Sequence, residues 1–182
     1  TKVYMRMMTV PKFFNTAGPI KSDIHYNVDP LKRINLDEIM DLIHQQKYFI
    51  LHAPRQTGKT SCLLALRDYL NAQGDYIAVY ANVEAGQAAR NDVEEVIKSV
   101  CQRIANELRI ILGNRLPNDV YKQVAEDSSY SELLTNFLSQ LSVNMSRPLV
   151  LLIDEIDALV GDSLVSVLRQ IRSGYANRPQ NF

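Results

Sequence analysis

The stretch Tyr48-Phe-Ile-Leu-His-Ala-Pro-Arg-Gln-Thr-Gly-Lys-Thr-Ser61 decides how the rest of the chain is read. Residues 53–60 follow the pattern G-x-x-x-x-G-K-[ST], with Ala53 in place of the first glycine. The pattern calls for a strand, then a tight loop whose backbone N–H groups face phosphate oxygens, then a helix whose positive end adds to the field. Tyr48 to His52 is expected as that brief strand. Gly58 to Ala72 is expected as the helix, with Leu63, Leu66 and Leu70 on one face and a stop near Gln73 and Gly74.

In this reading Gly58 permits close backbone approach, Lys59 reaches the β- and γ-phosphates, and the Thr60 hydroxyl ligates Mg²⁺. Ala53, Pro54, Arg55, Gln56, Thr57 and Ser61 complete the nucleotide-binding loop. A Gly-Lys-Thr turn also occurs at ordinary helix starts, where Thr60 or Ser61 merely satisfies free N–H groups. The full spacing, with strand and helix on either side, favours the phosphate loop.

The second informative stretch is Leu149-Val-Leu-Leu-Ile-Asp-Glu155. An unbroken apolar run after Pro148 is the pattern of a parallel strand buried on both faces. Its two acids fall at the strand end, where a parallel sheet opens its ligand crevice. Asp154 is expected to hold Mg²⁺ and Glu155 to orient and polarise a water that attacks the γ-phosphate. Two acids can also simply close a strand and start a turn, but their presence behind an aliphatic run in a chain with a phosphate loop favours the functional reading. Asp157 reads better as a cap of the turn Ala158 to Val160 than as part of a metal site.

Elsewhere the pattern alternates. Residues 1–34 form an extended lead-in, with Phe13 to Asp29 lacking sustained periodicity, and residues 35–182 form the phosphate-loop domain. Leu36, Ile39, Met40 and Ile43 make a short amphipathic helix capped by Asn35, and Tyr76 to Val83 favours a strand. Val93, Val96, Ile97, Val100, Cys101, Ile104, Leu108 and Ile111 keep one apolar stripe over about five turns. Pro117 is expected to break it, a weaker helix to cover Asp119 to Ala125, and Leu133 to Leu141 to form another. Together they make a helical excursion over about 92–143. Ser163 to Arg172 closes the pattern as a helix with Leu164, Leu168 and Ile171 inward. The fold class is α/β, a three-layer P-loop NTPase arrangement with a Rossmann-like parallel sheet flanked by helices.

Composition narrows the setting. With 182 residues, 46% hydrophobic and 22% charged, the chain can build a real core. Twenty basic residues oppose twenty acidic ones, so net charge points to neither nucleic acid nor an anionic membrane. Cys62 and Cys101 sit in apolar helical patterns away from metal-ligand spacing, and read as core thiols in a reducing, cytoplasmic compartment. No run reaches the roughly 18 to 20 apolar residues of a membrane span. The chain starts at Thr1 and ends in a polar, turn-prone stretch, which fits a piece cut from a longer protein.

Residues 51–61, Leu-His-Ala-Pro-Arg-Gln-Thr-Gly-Lys-Thr-Ser, with residues 151–157, Leu-Leu-Ile-Asp-Glu-Ile-Asp, resemble the AAA-like ATPases of bacteria and archaea, relatives of the AAA+ and signal-transduction ATPases with numerous domains. The lead-in Phe13-Phe-Asn-Thr-Ala-Gly-Pro-Ile20 with His25 and Tyr26 is similar to the segment before the phosphate loop in such proteins. The resemblance implies an ATP-binding, Mg²⁺-dependent domain, and it makes His25, Tyr26 and Val28 candidates for adenine contact, with a loop packed on the first helix as the alternative. It also implies a further strand with a polar sensor residue, an arginine finger and a helical lid. None of these has a counterpart up to Phe182, so the domain is expected to be incomplete at its C-terminal end.

The leading expectation is therefore an ATP-hydrolysing domain that works as a motor or switch on an unknown protein partner or on further domains of the same chain, with an oligomer left open. The alternative is a regulatory or scaffolding module that binds nucleotide without turnover. No Asn-Lys-x-Asp or Leu-Ser-Gly-Gly-Gln sequence occurs, which disfavours GTPases and transporter-type ATPases. Nothing in the sequence indicates nucleic acid.

Overall fold

The computed structural model describes residues 11–16, 21, 23–89 and 92–176. The chain divides into two compact units, Thr1–Ala65 and Leu66–Phe182.

In the first unit the lead-in folds back on itself. Phe13 forms an isolated parallel bridge with His25, in which Tyr26 N–H donates to the Phe13 carbonyl at 3.0 Å. A 3-10 turn, Pro30–Arg33, follows, and the Asp29 carboxylate accepts the Leu31 N–H at 3.0 Å. Helix α1 spans Leu36–His44. Asn35 caps it as its position suggested: Oδ1 accepts from Glu38 N–H at 3.4 Å while Nδ2 donates to Glu38 Oε2 at 3.1 Å. Such a cap contributes about 1 kcal/mol. Ile39 and Ile43, one turn apart, form its buried side.

The strand expected over Tyr48 to His52 does not form. Residues 48–52 carry no regular secondary structure, and Ile50 is 91% exposed. A strand exists through its ladder with a neighbour. Among the described residues the only named strands pair with each other, and neither pairs with this segment.

Helix α2, Lys59–Gln73, begins in the first unit and ends in the second. The second unit carries a parallel sheet of two strands, β1 (Ile77–Asn82) and β2 (Leu149–Asp154), in register from Ile77 opposite Leu149 to Asn82 opposite Asp154. Parallel neighbours require a long crossover. Here it consists of α3 (Val93–Leu112), α4 (Leu116–Asp127) and α5 (Leu133–Asn144). Asn71 of α2 pairs with β1 like a short strand: Oδ1 accepts the Ala78 N–H at 3.0 Å and Nδ2 donates to the Ala78 carbonyl at 2.8 Å. That contact satisfies backbone groups that would otherwise lie open.

Asp92 caps α3 through Glu95 N–H at 3.0 Å, and Gly113 ends it in the left-handed conformation. The break expected at Pro117 therefore falls at Gly113. Pro117 instead lies in the first turn of α4, where its missing N–H leaves no bond unmade. The predicted stripe on α3, from Val96 to Leu108, packs with Ile77, Val79 and Ala81 of β1 and with Leu134, Phe137 and Leu141 of α5 in one core. Each such side chain contributes roughly 1.5–3 kcal/mol by leaving water. Cys101 lies inside it, and burial pushes its thiol up to about 12, which keeps it protonated.

Two further expectations are corrected. Strand β2 is only partly buried, with Leu152 and Asp154 its buried positions, because it has one ladder neighbour among the described residues. In helix α6, Gly161–Ala176, Leu164 and Ile171 pack against the core as expected, but Leu168 is 47% exposed and the buried positions are Ser163, Val167 and Gln170. Gln170 has partners that hold it inward. Its Oε1 accepts Leu134 N–H at 2.8 Å at the start of α5, where Glu132 makes no side-chain cap, and its Nε2 donates to the Tyr130 carbonyl at 2.9 Å.

The architecture is α/β, a parallel sheet with helices packed on it, consistent with the three-layer P-loop arrangement expected from the alternating pattern. Among the described residues no helix is long and apolar enough to cross a membrane.

Candidate nucleotide-binding site

The loop expected to hold phosphate is a closed turn that opens α2. Gln56 (φ 59°) and Gly58 (φ 84°) take left-handed conformations and reverse the chain. The Thr57 hydroxyl donates to the Pro54 carbonyl at 2.7 Å. Lys59 Nζ donates to the Ala53 carbonyl at 2.9 Å and to the Pro54 carbonyl at 3.4 Å, joining the two ends of the loop. Cys62 N–H then donates to the Gly58 carbonyl at 3.0 Å, the first bond of the helix. Lys59, Thr60 and Ser61 thus occupy the first turn of α2, where N–H groups lack intrahelical partners and the helix dipole is positive. Arg55 and Gln56 form the exposed tip.

A residue that sequence reasoning missed joins this loop. Arg33, the last residue of the 3-10 turn, donates from Nη2 to the Thr57 carbonyl. A Cβ on Gly58 would stand 2.6 Å from Arg33 Nη1, so a side chain at position 58 would be strained by its left-handed backbone and would displace the guanidinium. The Cys62 Sγ contact with the Pro30 carbonyl at 3.4 Å ties the same turn to α2. Burial raises the Cys62 thiol above its ordinary value, and the positive charge of Arg33 opposes that rise.

The acidic strand end lies in the second unit. Asp154, 5% exposed, ends β2 and accepts the Tyr80 hydroxyl on Oδ2 at 2.9 Å and the Glu155 N–H on Oδ1 at 3.1 Å. Tyr80 and Asp154 sit two positions apart in the ladder, on one face of the sheet. Burial, then the hydrogen bond and the charge of Asp154, push the Tyr80 phenol up to about 12, so it is a donor at neutral pH. Glu155 is exposed and left-handed, with φ 57° and ψ 35°, a conformation costing a non-glycine residue about 1 kcal/mol.

Asp157 does not cap Ala158 to Val160. It lies inside a 3-10 turn, Ile156–Ala158, because the left-handed Glu155 reverses the chain directly after β2 and starts the turn earlier.

The residues fit a phosphate-bearing ligand: positions 53–61 contain Arg55 and Lys59 and no acid, Arg33 adjoins them, and Gly58 keeps the backbone open. For the metal, no group of three or more His, Cys, Asp or Glu able to hold an ion occurs among the described residues. Mg²⁺ takes one or two protein oxygens and completes its shell with phosphates and water, so it does not require such a group. In the lead-in, His25 is engaged by its own loop: Nδ1 accepts Lys21 N–H at 3.0 Å and the ring meets Phe13 edge-on at 4.8 Å. Tyr26 and Val28 are exposed, and Tyr26 tilts against Phe14 at 5.0 Å.

A parallel α/β frame and a glycine turn that opens a helix are features of the P-loop class of domains. The chain belongs to the AAA-like domain family, whose model matches residues 17–180. Comparison with curated proteins and with solved structures found no match. The family supports nucleotide binding as a general theme of the domain.

Proposed function

We propose that the chain binds Mg²⁺-ATP through residues 53–61 and hydrolyses it, serving as a motor or switch for a partner protein or for further domains of the same chain. The observation that carries this reading is the closed loop at the start of α2, with Lys59 Nζ on the Ala53 and Pro54 carbonyls beside a glycine in the left-handed conformation. Lys59 would bind the β- and γ-phosphates, and the N–H groups of the loop and of the first turn of α2 would receive the remaining oxygens. Mg²⁺, when bound, neutralises phosphate charge, with the Thr60 hydroxyl and Asp154 as its protein oxygens. The Glu155 carboxylate would orient the attacking water and accept its proton. The two buried cysteines suit a reducing, cytoplasmic setting.

Calorimetry with Mg²⁺-ATP, followed by a single-turnover assay with γ-labelled ATP, tests both halves. Saturable binding with phosphate release supports hydrolysis. Binding without release leaves a non-hydrolysing nucleotide module, and absence of binding removes the proposal.

A further inference from the structure

We propose that Arg33 is a positioning residue for phosphate binding: its guanidinium holds the Thr57 carbonyl so that the Gly58 N–H is turned toward a phosphate of bound ATP. This rests on the ATP-binding reading above and deepens it. Among the described residues the peptide bonds are trans, and in a trans peptide the carbonyl and the following N–H point in opposite directions. The Thr57 carbonyl points at Arg33 Nη2, so the Gly58 N–H points away from that guanidinium.

A phosphate loop needs its N–H groups toward the ligand and its carbonyls turned aside, because carbonyl lone pairs repel phosphate oxygens. Three carbonyls here are held by side-chain donors. Those of Ala53 and Pro54 are held by Lys59 and Thr57, which belong to the loop, and that of Thr57 is held by Arg33, which does not. Arg33 is itself placed by the turn that Asp29 caps and that Cys62 meets at the Pro30 carbonyl. Arg33 Nη1 stands against Gly58, 2.6 Å from where a Cβ would be.

The test uses the whole chain as parent, Arg33→Ala, Arg33→Lys and Lys59→Ala, with Mg²⁺-ATP calorimetry and the amide NMR resonance of Gly58 with and without Mg²⁺-ATP. Arg33→Ala is expected to weaken binding about tenfold, the scale of one oriented hydrogen bond, and to shrink the Gly58 shift caused by the nucleotide. Millimolar guanidinium should restore part of the affinity where sodium chloride at equal ionic strength does not.

Parental affinity and a parental Gly58 shift in Arg33→Ala, in a chain whose Lys59→Ala variant has lost binding, overturn the role of Arg33 and leave the ATP reading standing. A tenfold loss with an unchanged Gly58 shift makes Arg33 a direct ligand and overturns positioning. Failure of the parent to bind overturns both. Should Arg33→Ala not fold, Arg33→Lys decides on the same two measurements, since it keeps the charge and loses the planar fork.

Discussion

The Tyr80 hydroxyl donates to Asp154 Oδ2 at 2.9 Å across neighbouring parallel strands, so the acid at the end of β2 is held by a residue of β1. Tyr80→Phe removes that donor from a buried carboxylate, and should cost about 1–2 kcal/mol of stability in urea unfolding. The pH dependence has a definite sign. The folded phenol titrates at about 12 against roughly 10 in an unfolded chain, so its contribution is complete below about pH 10 and disappears as pH rises toward 12. The stability gap between parent and Tyr80→Phe should therefore narrow over that window. A gap that stays constant would show that Tyr80 does not titrate against Asp154.

Lys59→Ala should reduce Mg²⁺-ATP affinity at least about tenfold, because a charge and its hydrogen bonds to phosphate are lost together. The same change frees the Ala53 carbonyl, which is only half-buried and can take water instead, while the Pro54 carbonyl keeps its bond from the Thr57 hydroxyl, so thermal stability should barely move. Unchanged affinity in a titration would remove residues 53–61 from the binding site.

The two acids should separate. Asp154→Asn is expected to weaken the dependence of nucleotide binding on Mg²⁺, whereas Glu155→Gln should keep the nucleotide and lower hydrolysis by about 10²–10⁴. Glu155→Gly adds a stability readout, since it relieves the left-handed backbone by about 1 kcal/mol while deleting the carboxylate. A Glu155→Gln chain that releases phosphate at the parental rate would end the role assigned to Glu155.

What the sequence made legible was local. The stripe of α3, the cap Asn35 of α1 and the apolar run ending at Asp154 each declare themselves within a few residues. The turn from Pro54 to Lys59 does so too, through residue types whose backbone needs are specific. The Arg33 bond to Thr57 spans 24 residues, that of Gln170 to Leu134 spans 36 and that of Tyr80 to Asp154 spans 74, and no periodicity encodes such pairs. The strand expected at Tyr48 to His52 failed for the same reason, since a ladder is a property of two segments and composition reports only one. Tyr80 alone had an available signal: two residues before the end of a strand, it shares a face with whatever ends the neighbouring strand in register.

Gln170 offers the sharpest test of a contact that periodicity misread. On pattern alone Leu168 belonged inside α6, yet it is exposed and the polar Gln170 is buried, with its amide bonding a backbone N–H at the start of α5 and a carbonyl just before it. Gln170→Leu nearly conserves volume and leaves both of those groups without their partner, the Leu134 N–H in a buried setting. An unsatisfied buried group costs about 1–3 kcal/mol, so the pair should cost roughly 2–4 kcal/mol and lower Tm by about 4–16 °C for a chain of this size. Leu168→Gln, on the outer face of the same helix, should change stability by no more than about 0.5 kcal/mol. The two exchanges swap the same residue types within one turn, so helix propensity and composition cancel and only the facing of α6 distinguishes them. Equal losses in paired urea and thermal unfolding, or a larger loss for Leu168→Gln, would mean that Leu168 faces inward as the sequence pattern implied and that Gln170 does not hold the start of α5.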